Sequence, residues 1–203
     1  YAVVGAYRDN SFQGSAYVFV RSGTTWTQQQ KLTASDAASF DYFGNSVSVS
    51  GDYAVVGAQG DNSQAGSAYI FVRSGTTWTQ QQKLTASDAT GGDMFGYSVS
   101  LSGDYAVVGA FGDNDDGSAS GSAYISAINF ENRAALKAAV DNCLTADATG
   151  NCDCSSASVD CGVAGSLPIS QWDTSRVSDM NHLFYNKTSF DANIGAWDTA
   201  KVT

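Results

Sequence analysis

The sequence predicts a mainly β protein built from repeated units of four antiparallel strands, followed by a small helical junction and a second repeat. Two observations carry this prediction. Residues 1–52 and 53–104 are identical at 41 of 52 aligned positions, and a third copy opens at Tyr105 and ends near Ser126. Gly, Ser, Thr, Val, Tyr and Phe dominate residues 1–126, and this composition favours strands and turns. A period of this size is typical of a modular array whose units cannot bury an apolar face alone.

One period contains four segments with strand patterns. Residues 44–50 alternate with period two, 53–58 form a short apolar run, and 66–72 follow a polar loop. A hairpin signal at 74–77 leads into a polar edge strand over 78–85 that is anchored by Trp78 and Leu84. Four antiparallel strands in about 50 residues are the pattern of a propeller blade, so we expect incomplete β-propeller blades.

Two and a third blades cannot close a ring. The chain also opens at Tyr1 inside one repeat and stops at Thr203 inside another. We therefore expect the natural protein to continue at both ends and its neighbouring blades to supply missing contacts.

The mismatches between the two full copies are of two kinds. Two of them, Val18 with Ile70 and Val49 with Leu101, exchange one aliphatic residue for another within predicted strands. Because cores resist changes of shape and loops tolerate them, we interpret the remaining differences as ordinary loop variation. The loop differences include Tyr7 with Gln59, Arg8 with Gly60, and Phe12 with Gln64.

The recurring pairs Phe43-Gly44 and Gly57-Ala58, together with the repeated Gly-Ser-Ala-Tyr strand, resemble the FG-GAP repeat of integrin-alpha-like propellers. The resemblance covers residues 1–126, about three-fifths of the chain. It implies blades of an extracellular propeller that binds ligands through its loops.

The chain departs from that family at the acidic calcium loop, of which only Ser50-Gly51-Asp52 and its later copy remain. Calcium binding is therefore not carried over from the resemblance. A second acidic loop at 113–117 places oxygen donors at Asp113 and Asp115, which suits a hard cation, but it lacks a bidentate acid further on. We expect no cofactor. Two interpretations of this loop stay open, namely a weak calcium site and a solvated turn.

Residues 127–168 are predicted to be a helical, cysteine-bearing junction. Leu136 and Val140 lie four apart in a segment over 130–142 that has helical spacing. Cysteines in a short stretch of an acidic repeat protein predict a disulfide staple, and the two that flank one residue are poor partners for each other. A structural zinc site is the alternative, although no C-x₂-C spacing occurs. The four cysteines are Cys143, Cys152, Cys154 and Cys161.

A different repeat, displaced by 25 residues, occupies 169–203. The segment 172–184, with Ser189-Phe190-Asp191 and Ile194, resembles the BspA-like surface repeat, which is similar to leucine-rich repeats. The resemblance implies the start of a solenoid, with a short strand near 176–177 and a helical turn over 180–184. The aromatic residues of this part are expected to stack in its core. Ile169, Trp172, Asp173, Thr174 and Val177 recur as Ile194, Trp197, Asp198, Thr199 and Val202.

The net charge and the absence of known catalytic motifs disfavour several classes of function. Ten basic residues against 20 acidic ones give a net charge of −10, which disfavours nucleic acids and anionic membranes as partners. The apolar runs are too short to predict a membrane span. His182 is the single histidine, and no phosphate loop or dinucleotide fingerprint occurs, so we expect no catalytic residues. Asn186 opens an Asn-Lys-Thr sequon and is a glycosylation candidate.

These observations predict a non-enzymatic extracellular or cell-surface repeat protein that recognises a protein or glycan ligand. Two alternatives stay open, namely an accessory segment of a larger secreted enzyme and a purely structural surface protein. A catalytic domain in flanking sequence would favour the accessory segment of an enzyme. Absence of any ligand would favour the purely structural protein.

Overall fold

A computed structural model of the chain describes residues 1–103, 105–115, 117, 120–128, 133–146, 169, 172, 174, 177, 179, 180, 183, 184, 187–200 and 202. The chain divides into two compact units, Tyr1–Ser126 and Ala127–Thr203. The first unit ends where the 52-residue repeat pattern ends. The predicted boundary at residue 168 lies outside the described residues and stays a prediction.

The first unit consists of three antiparallel sheets, which we call blades 1 to 3. Blade 2 has four strands paired in chain order, whereas blades 1 and 3 each have three among the described residues. Blade 1 comprises β1 (Ala2–Ala6), β2 (Ser15–Ser22) and β3 (Thr25–Leu32). Blade 2 comprises β4 (Val47–Ser50), β5 (Tyr53–Ala58), β6 (Ser67–Ser74) and β7 (Thr77–Leu84). Blade 3 comprises β8 (Phe95–Ser102), β9 (Tyr105–Ala110) and β10 (Ser122–Ala127).

Blade 2 confirms the predicted quartet of antiparallel strands. The apolar run predicted at 53–58 is β5, and the hairpin predicted at 74–77 joins β6 to β7. The strand predicted over 44–50 begins only at Val47, because Gly44 has a left-handed φ of 89° that makes the pairing irregular. The segment nevertheless stays bonded to β5, since the Gly44 amide donates to the Gly57 carbonyl at 2.9 Å and the Gly57 amide to the Ser46 carbonyl at 2.8 Å. There, the Ser46 hydroxyl donates a hydrogen bond to the Gly96 carbonyl at 2.7 Å.

The blades stack face to face, and the exposed fractions of equivalent valines show which faces are covered. Val4 of β1 is 53% exposed, whereas its counterparts Val56 and Val108 are fully buried. On the opposite face Val55 is fully buried, while its counterpart Val107 in blade 3 is 39% exposed. Since alternate strand residues face opposite sides of a sheet, each blade covers the apolar face of its neighbour. This is the shared core that the repeat pattern predicts.

The Phe-Gly and Gly-Ala pairs form the junctions between successive blades. Phe43 is fully buried and packs edge-on against the ring of Tyr69, with centroids 5.5 Å apart. A Cβ at Gly5 would lie 1.9 Å from the carbonyl oxygen of Gly44, so only glycine permits this approach of two backbones. The next junction repeats the geometry, because Phe95 forms a parallel bridge with Gly66 as Phe43 does with Gly14.

Short helical turns follow the Gly-Ala strands at α1 (Asp9–Phe12) and α2 (Asp61–Gln64). Their central residues have left-handed backbones, with φ of 47° at Asn10 and 48° at Asn62. Each turn folds toward the loop that leads into the following blade. The Tyr42 amide donates a hydrogen bond to the Phe12 carbonyl at 2.9 Å, which fixes the loop against the turn. These turns and loops define one end of the blade junctions.

The second unit opens with α3 (Arg133–Ala146), which confirms a helix at the junction. The predicted range was 130–142; residues 129–132 are outside the described part, and the helix runs four residues further than predicted. Its buried stripe explains the extension, because Cys143 and Leu144 continue the apolar spacing of Leu136 and Val140.

The 25-residue repeat reappears in the second unit as recurring turns. The Val177 amide donates to the Thr174 carbonyl at 2.9 Å, and the Val202 amide to the Thr199 carbonyl at 3.0 Å. Trp172 stacks on Trp197, with ring centroids 6.3 Å apart. The prediction of a strand near Val177 is wrong at that residue, since its amide closes a turn and does not join a ladder.

The aromatic stacking expected in the second unit is present at Phe184. Its ring lies 4.3 Å from that of Phe190 and 5.8 Å from that of Trp197, measured between centroids. The solenoid itself remains a prediction.

Candidate functional site

Four aromatic side chains meet at the loop end of the junction between blades 1 and 2. We call Tyr7, Phe12, Phe40 and Tyr42 the aromatic cluster. The Tyr42 ring is central, with centroids 6.2 Å from Tyr7, 5.8 Å from Phe12 and 6.4 Å from Phe40. Phe12 and Phe40 stack nearly parallel at 5.5 Å. Tyr7, Phe12 and Phe40 stay substantially exposed, and 58% of Phe40 faces solvent.

The backbone that carries this cluster is strained. Phe12, Phe40 and Tyr42 have φ of 65°, 73° and 57°, which are left-handed conformations that bulky residues rarely adopt. Such conformations cost on the order of 1 to 3 kcal/mol each and persist only where surrounding structure enforces them. The next junction has the same left-handed backbone at Gln64 and Met94, so this geometry belongs to the repeat, and the cluster is distinguished by the exposed aromatic side chains that it holds there.

A cleft of about 490 Å³ opens beside the cluster, between the loop 38–42 and the turn α2. Its volume falls within the range of small-molecule sites, about 300 to 1,000 Å³. The loop contributes aromatic rings, the turn contributes hydroxyl and amide groups, and the carboxylates of Asp41 and Asp61 also line the cleft. The lining further includes Ser39, Phe40, Tyr42, Asn62, Ser63 and Gln64.

Asp41 lies at the base of the loop and is buried. Burial raises the pKa of this carboxyl, and a hydrogen bond from the Ala38 amide at 2.6 Å opposes the rise. Asp93 makes the same contact with the Thr90 amide at 2.5 Å in the next blade. The recurrence shows that these carboxylates shape the loop in both copies, independently of the aromatic residues.

A partly exposed ionic clamp adjoins the cleft at Asp61. The Lys83 ammonium is 2.6 Å from both Asp61 Oδ2 and Asp36 Oδ2, and the Tyr69 hydroxyl donates to Asp36 Oδ1 at 2.9 Å. Burial disfavours the charged form of Lys83, but the two carboxylates outweigh this and raise its pKa. Burial, followed by the nearby Asp61 charge, also raises the pKa of Tyr69. Because Asp36 belongs to the loop after β3, the clamp ties blade 1 to blade 2.

Blade 1 has a simpler version of this clamp. The Lys31 ammonium is 2.7 Å from Asp9 Oδ2, and the Ser15 hydroxyl donates to the same oxygen at 2.7 Å. These contacts lower the pKa of Asp9 to about 2. In both blades the aspartate of the short helical turn, Asp9 or Asp61, is therefore engaged by a lysine and a serine hydroxyl of its own blade.

The sequence offers Asp113 and Asp115 as weak candidates for binding a cation, and the two residues differ in burial. Asp113 is buried, and its Oδ1 accepts the Asp115 amide at 3.0 Å, while Asp115 itself is exposed. The Tyr124 hydroxyl lies 2.9 Å from Asp113 Oδ2 and 2.7 Å from Asp88 Oδ1. The Asp115 amide, and then Tyr124 and Ser122, hold the pKa of Asp113 below its ordinary value. Within the described part of the chain, no group of three or more His, Cys, Asp or Glu side chains could hold a metal.

The remaining sequence candidates lie mostly outside the described residues. His182, Asn186, Cys152, Cys154 and Cys161 belong to that part, so glycosylation and disulfide pairing stay predictions. Cys143 is described; it is fully buried on α3 and is not a free thiol.

No helix among the described residues is long and apolar enough to span a membrane.

Sequence reasoning missed the aromatic cluster, although the signal was present in the alignment of the two copies. Taken one position at a time, the loop differences are typical of ordinary loop variation. Nine of the 11 mismatches fall within 7–13 and 38–45, which the fold brings together. At the equivalent junction the four cluster positions are occupied by Gln59, Gln64, Gly92 and Met94.

Comparison with known proteins identifies both arrays. The family model described as FG-GAP repeat matches residues 26–71 and 78–126. The model described as a Mycoplasma protein of unknown function, DUF285, matches residues 152–203. No curated protein matches the chain. The chain therefore carries FG-GAP repeats, folded as the stacked blades described above, followed by a DUF285 region of the kind expected from its BspA-like repeat.

Proposed function

We propose that this protein is a non-enzymatic, extracellular or cell-surface repeat protein that recognises a protein or glycan ligand through its blade loops. The observation that carries the proposal is the aromatic cluster, with its adjoining cleft, exposed at the junction of blades 1 and 2. FG-GAP repeats favour a ligand-binding role, and this cluster lies on the loops that such repeats present. Exposed aromatic patches on soluble proteins are typical of interaction sites.

The ionisable groups near the cleft support binding over catalysis. Catalytic acids and bases must reach the reacting atoms with a suitable protonation state. Asp41 instead accepts a backbone amide, and Asp61 accepts Ser67 and pairs with Lys83. These groups stabilise loops and join blades, so the cleft is better suited to holding a ligand than to transforming one.

An extracellular location agrees with the family assignments. FG-GAP and DUF285 repeats are typical of surface or extracellular proteins. The net charge of −10 also favours solubility and disfavours adsorption to anionic surfaces.

The experiment is a binding screen of the purified chain, with folding verified by circular dichroism. The fluorescently labelled chain is applied to arrays of extracellular proteins, arrays of oligosaccharides and intact cells. The proposal expects saturable binding to at least one class that unlabelled chain displaces. Absence of saturable binding on all three, with folded protein, would contradict it and favour the purely structural alternative. Turnover of an arrayed substrate would contradict the non-enzymatic part.

A further inference from the structure

We propose that the aromatic cluster and its cleft form a binding site for a neutral glycan, with a sugar ring stacked on Phe40. This inference rests on the proposed recognition function and narrows it to one ligand class. It follows from three properties of the site, namely its dispensability for folding, its charge balance and the chemistry of its walls.

The fold does not require the aromatic residues. The second junction adopts the same backbone with φ of 68° at Gln64 and 58° at Met94, against 65° at Phe12 and 57° at Tyr42. At the position of Phe40 the other copy has Gly92, the residue suited to a left-handed backbone. The aromatic residue therefore occupies a position where glycine would cost less strain, and it leaves most of its ring in solvent.

The charges around the site are largely balanced within the protein. Asp9 pairs with Lys31, and Asp61 pairs with Lys83 on the other side of the cleft. Arg8 lies over the Tyr7 ring, with its guanidinium carbon 5.3 Å from the centroid. Arg8 and the buried Asp41, which lines the cleft and accepts the Ala38 amide, stand outside these pairs and are opposite in sign. Among the described residues, the site therefore offers neither the cationic cluster that an acidic ligand needs nor the open carboxylates that a basic peptide needs.

The walls of the cleft match the two faces of a neutral sugar. Aromatic faces carry negative electrostatic potential and attract the weakly positive C–H groups that line one face of a pyranose ring. Hydroxyl and amide groups of Ser39, Asn62, Ser63 and Gln64 can exchange hydrogen bonds with sugar hydroxyls. The cleft of about 490 Å³ has room for one or two sugar rings.

The test compares three forms of the full chain on one array. The array carries neutral oligosaccharides of glucose, galactose, mannose and N-acetylglucosamine, sialylated and sulfated oligosaccharides, and peptides. The first variant gives the cluster the residues of the second junction: Tyr7→Gln, Phe12→Gln, Phe40→Gly and Tyr42→Met. The matched control alters another exposed aromatic pair, stacked at 5.0 Å in blade 3, by Tyr97→Asn and Phe111→Gln.

We expect the unaltered chain to bind a neutral oligosaccharide and the cluster variant to bind it at least about tenfold more weakly. The blade 3 control should bind as the unaltered chain does. Phe40→Gly alone should weaken binding while leaving the thermal midpoint unchanged or raised, because it removes strain along with the ring. This opposite response of binding and stability separates a binding role from a structural one.

Three results would overturn the inference. Binding confined to peptides or acidic oligosaccharides would reject a neutral glycan while leaving the proposed recognition function intact. Neutral glycan binding that survives in the cluster variant would place the site elsewhere. Silence of the unaltered chain on every arm would also reject the inference, and the recognition function would then be decided by the protein arrays and intact cells of the wider screen.

Discussion

Replacing Trp78 with alanine should destabilise the first unit strongly, whereas the same replacement of Trp26 should cost little. The two tryptophans occupy the same position in consecutive copies, within the same sequence Thr-Trp-Thr-Gln-Gln-Gln-Lys-Leu. Their surroundings differ, since Trp78 is 2% exposed and Trp26 is 48% exposed. Blade 1 covers Trp78, whose ring packs edge-on against Tyr1 at 5.6 Å and donates a hydrogen bond to Gln29 Oε1 at 3.0 Å.

The magnitude follows from the area that blade 1 covers. An aromatic side chain of this size buries up to about 250 Å², so the difference in exposure corresponds to roughly 115 Å². At about 25 cal/mol per Å², this area contributes about 3 kcal/mol. The indole hydrogen bond adds about 1 kcal/mol. Trp78→Ala should therefore lower the free energy of unfolding by about 3 to 4 kcal/mol more than Trp26→Ala does.

Urea denaturation followed by far-ultraviolet circular dichroism measures this difference without depending on tryptophan fluorescence. With a slope of about 2 kcal/mol per M, the two midpoints should differ by about 1.5 M or more. Equal midpoints for the two variants would refute the reasoning, because they would mean that blade 1 does not cover the outer strand of blade 2. A larger loss at Trp26 would refute it as well.

Three further predictions concern the junctions, the ionic clamp and the cysteines. Gly60→Ala should lower the free energy of unfolding by about 1 to 3 kcal/mol, because its Cβ would lie 2.0 Å from the Phe40 carbonyl oxygen; Arg8→Gly, at the equivalent position, should be near neutral, and thermal midpoints of both test this. The contacts of Asp9 with Lys31 and Ser15 lower its pKa from 3.8 to about 2. They therefore contribute stability to the folded state that is present above about pH 4 and lost as pH falls toward 2. Acid titration of Asp9→Asn should show a flatter loss than the unaltered chain, and an identical curve would contradict the Lys31 pairing. Thiol titration of unreduced, unfolded protein should find Cys143 blocked, and four reactive thiols would reject the staple.

Much of the fold could be predicted because the same strand pattern occurs in both full copies of the repeat. The identity of the Tyr-Ala-Val-Val-Gly-Ala segment in all three copies placed β5 and β9 by inspection. The helix α3 followed from the spacing of Leu136 and Val140. The alternation over 44–50 does not predict the strand start at Val47, because the left-handed backbone of Gly44 that interrupts regular pairing is not encoded in alternation.

The site could not be predicted in the same way, because its residues are brought together by stacking. Tyr7 and Tyr42 are distant in sequence and meet where the loop joins the turn, as in the hydrogen bond from the Tyr42 amide to the Phe12 carbonyl. Left-handed conformations at Phe12, Phe40 and Tyr42 are also invisible to propensity, which assigns such positions to glycine. Comparing the two copies position by position, and asking which differences share one junction, would have located the cluster.

The central structural claim is that successive blades are joined at their Phe-Gly pairs, and amide hydrogen exchange tests it most directly. The Phe43 amide donates to the Gln13 carbonyl and the Phe95 amide to the Ala65 carbonyl, each at 2.9 Å across a junction. Both amides should exchange as slowly as those in the middle of β5, because they open only when two blades separate. Exchange of Phe43 and Phe95 at the rate of the hairpin turns at Gly23 and Gly75 would contradict the stacked arrangement.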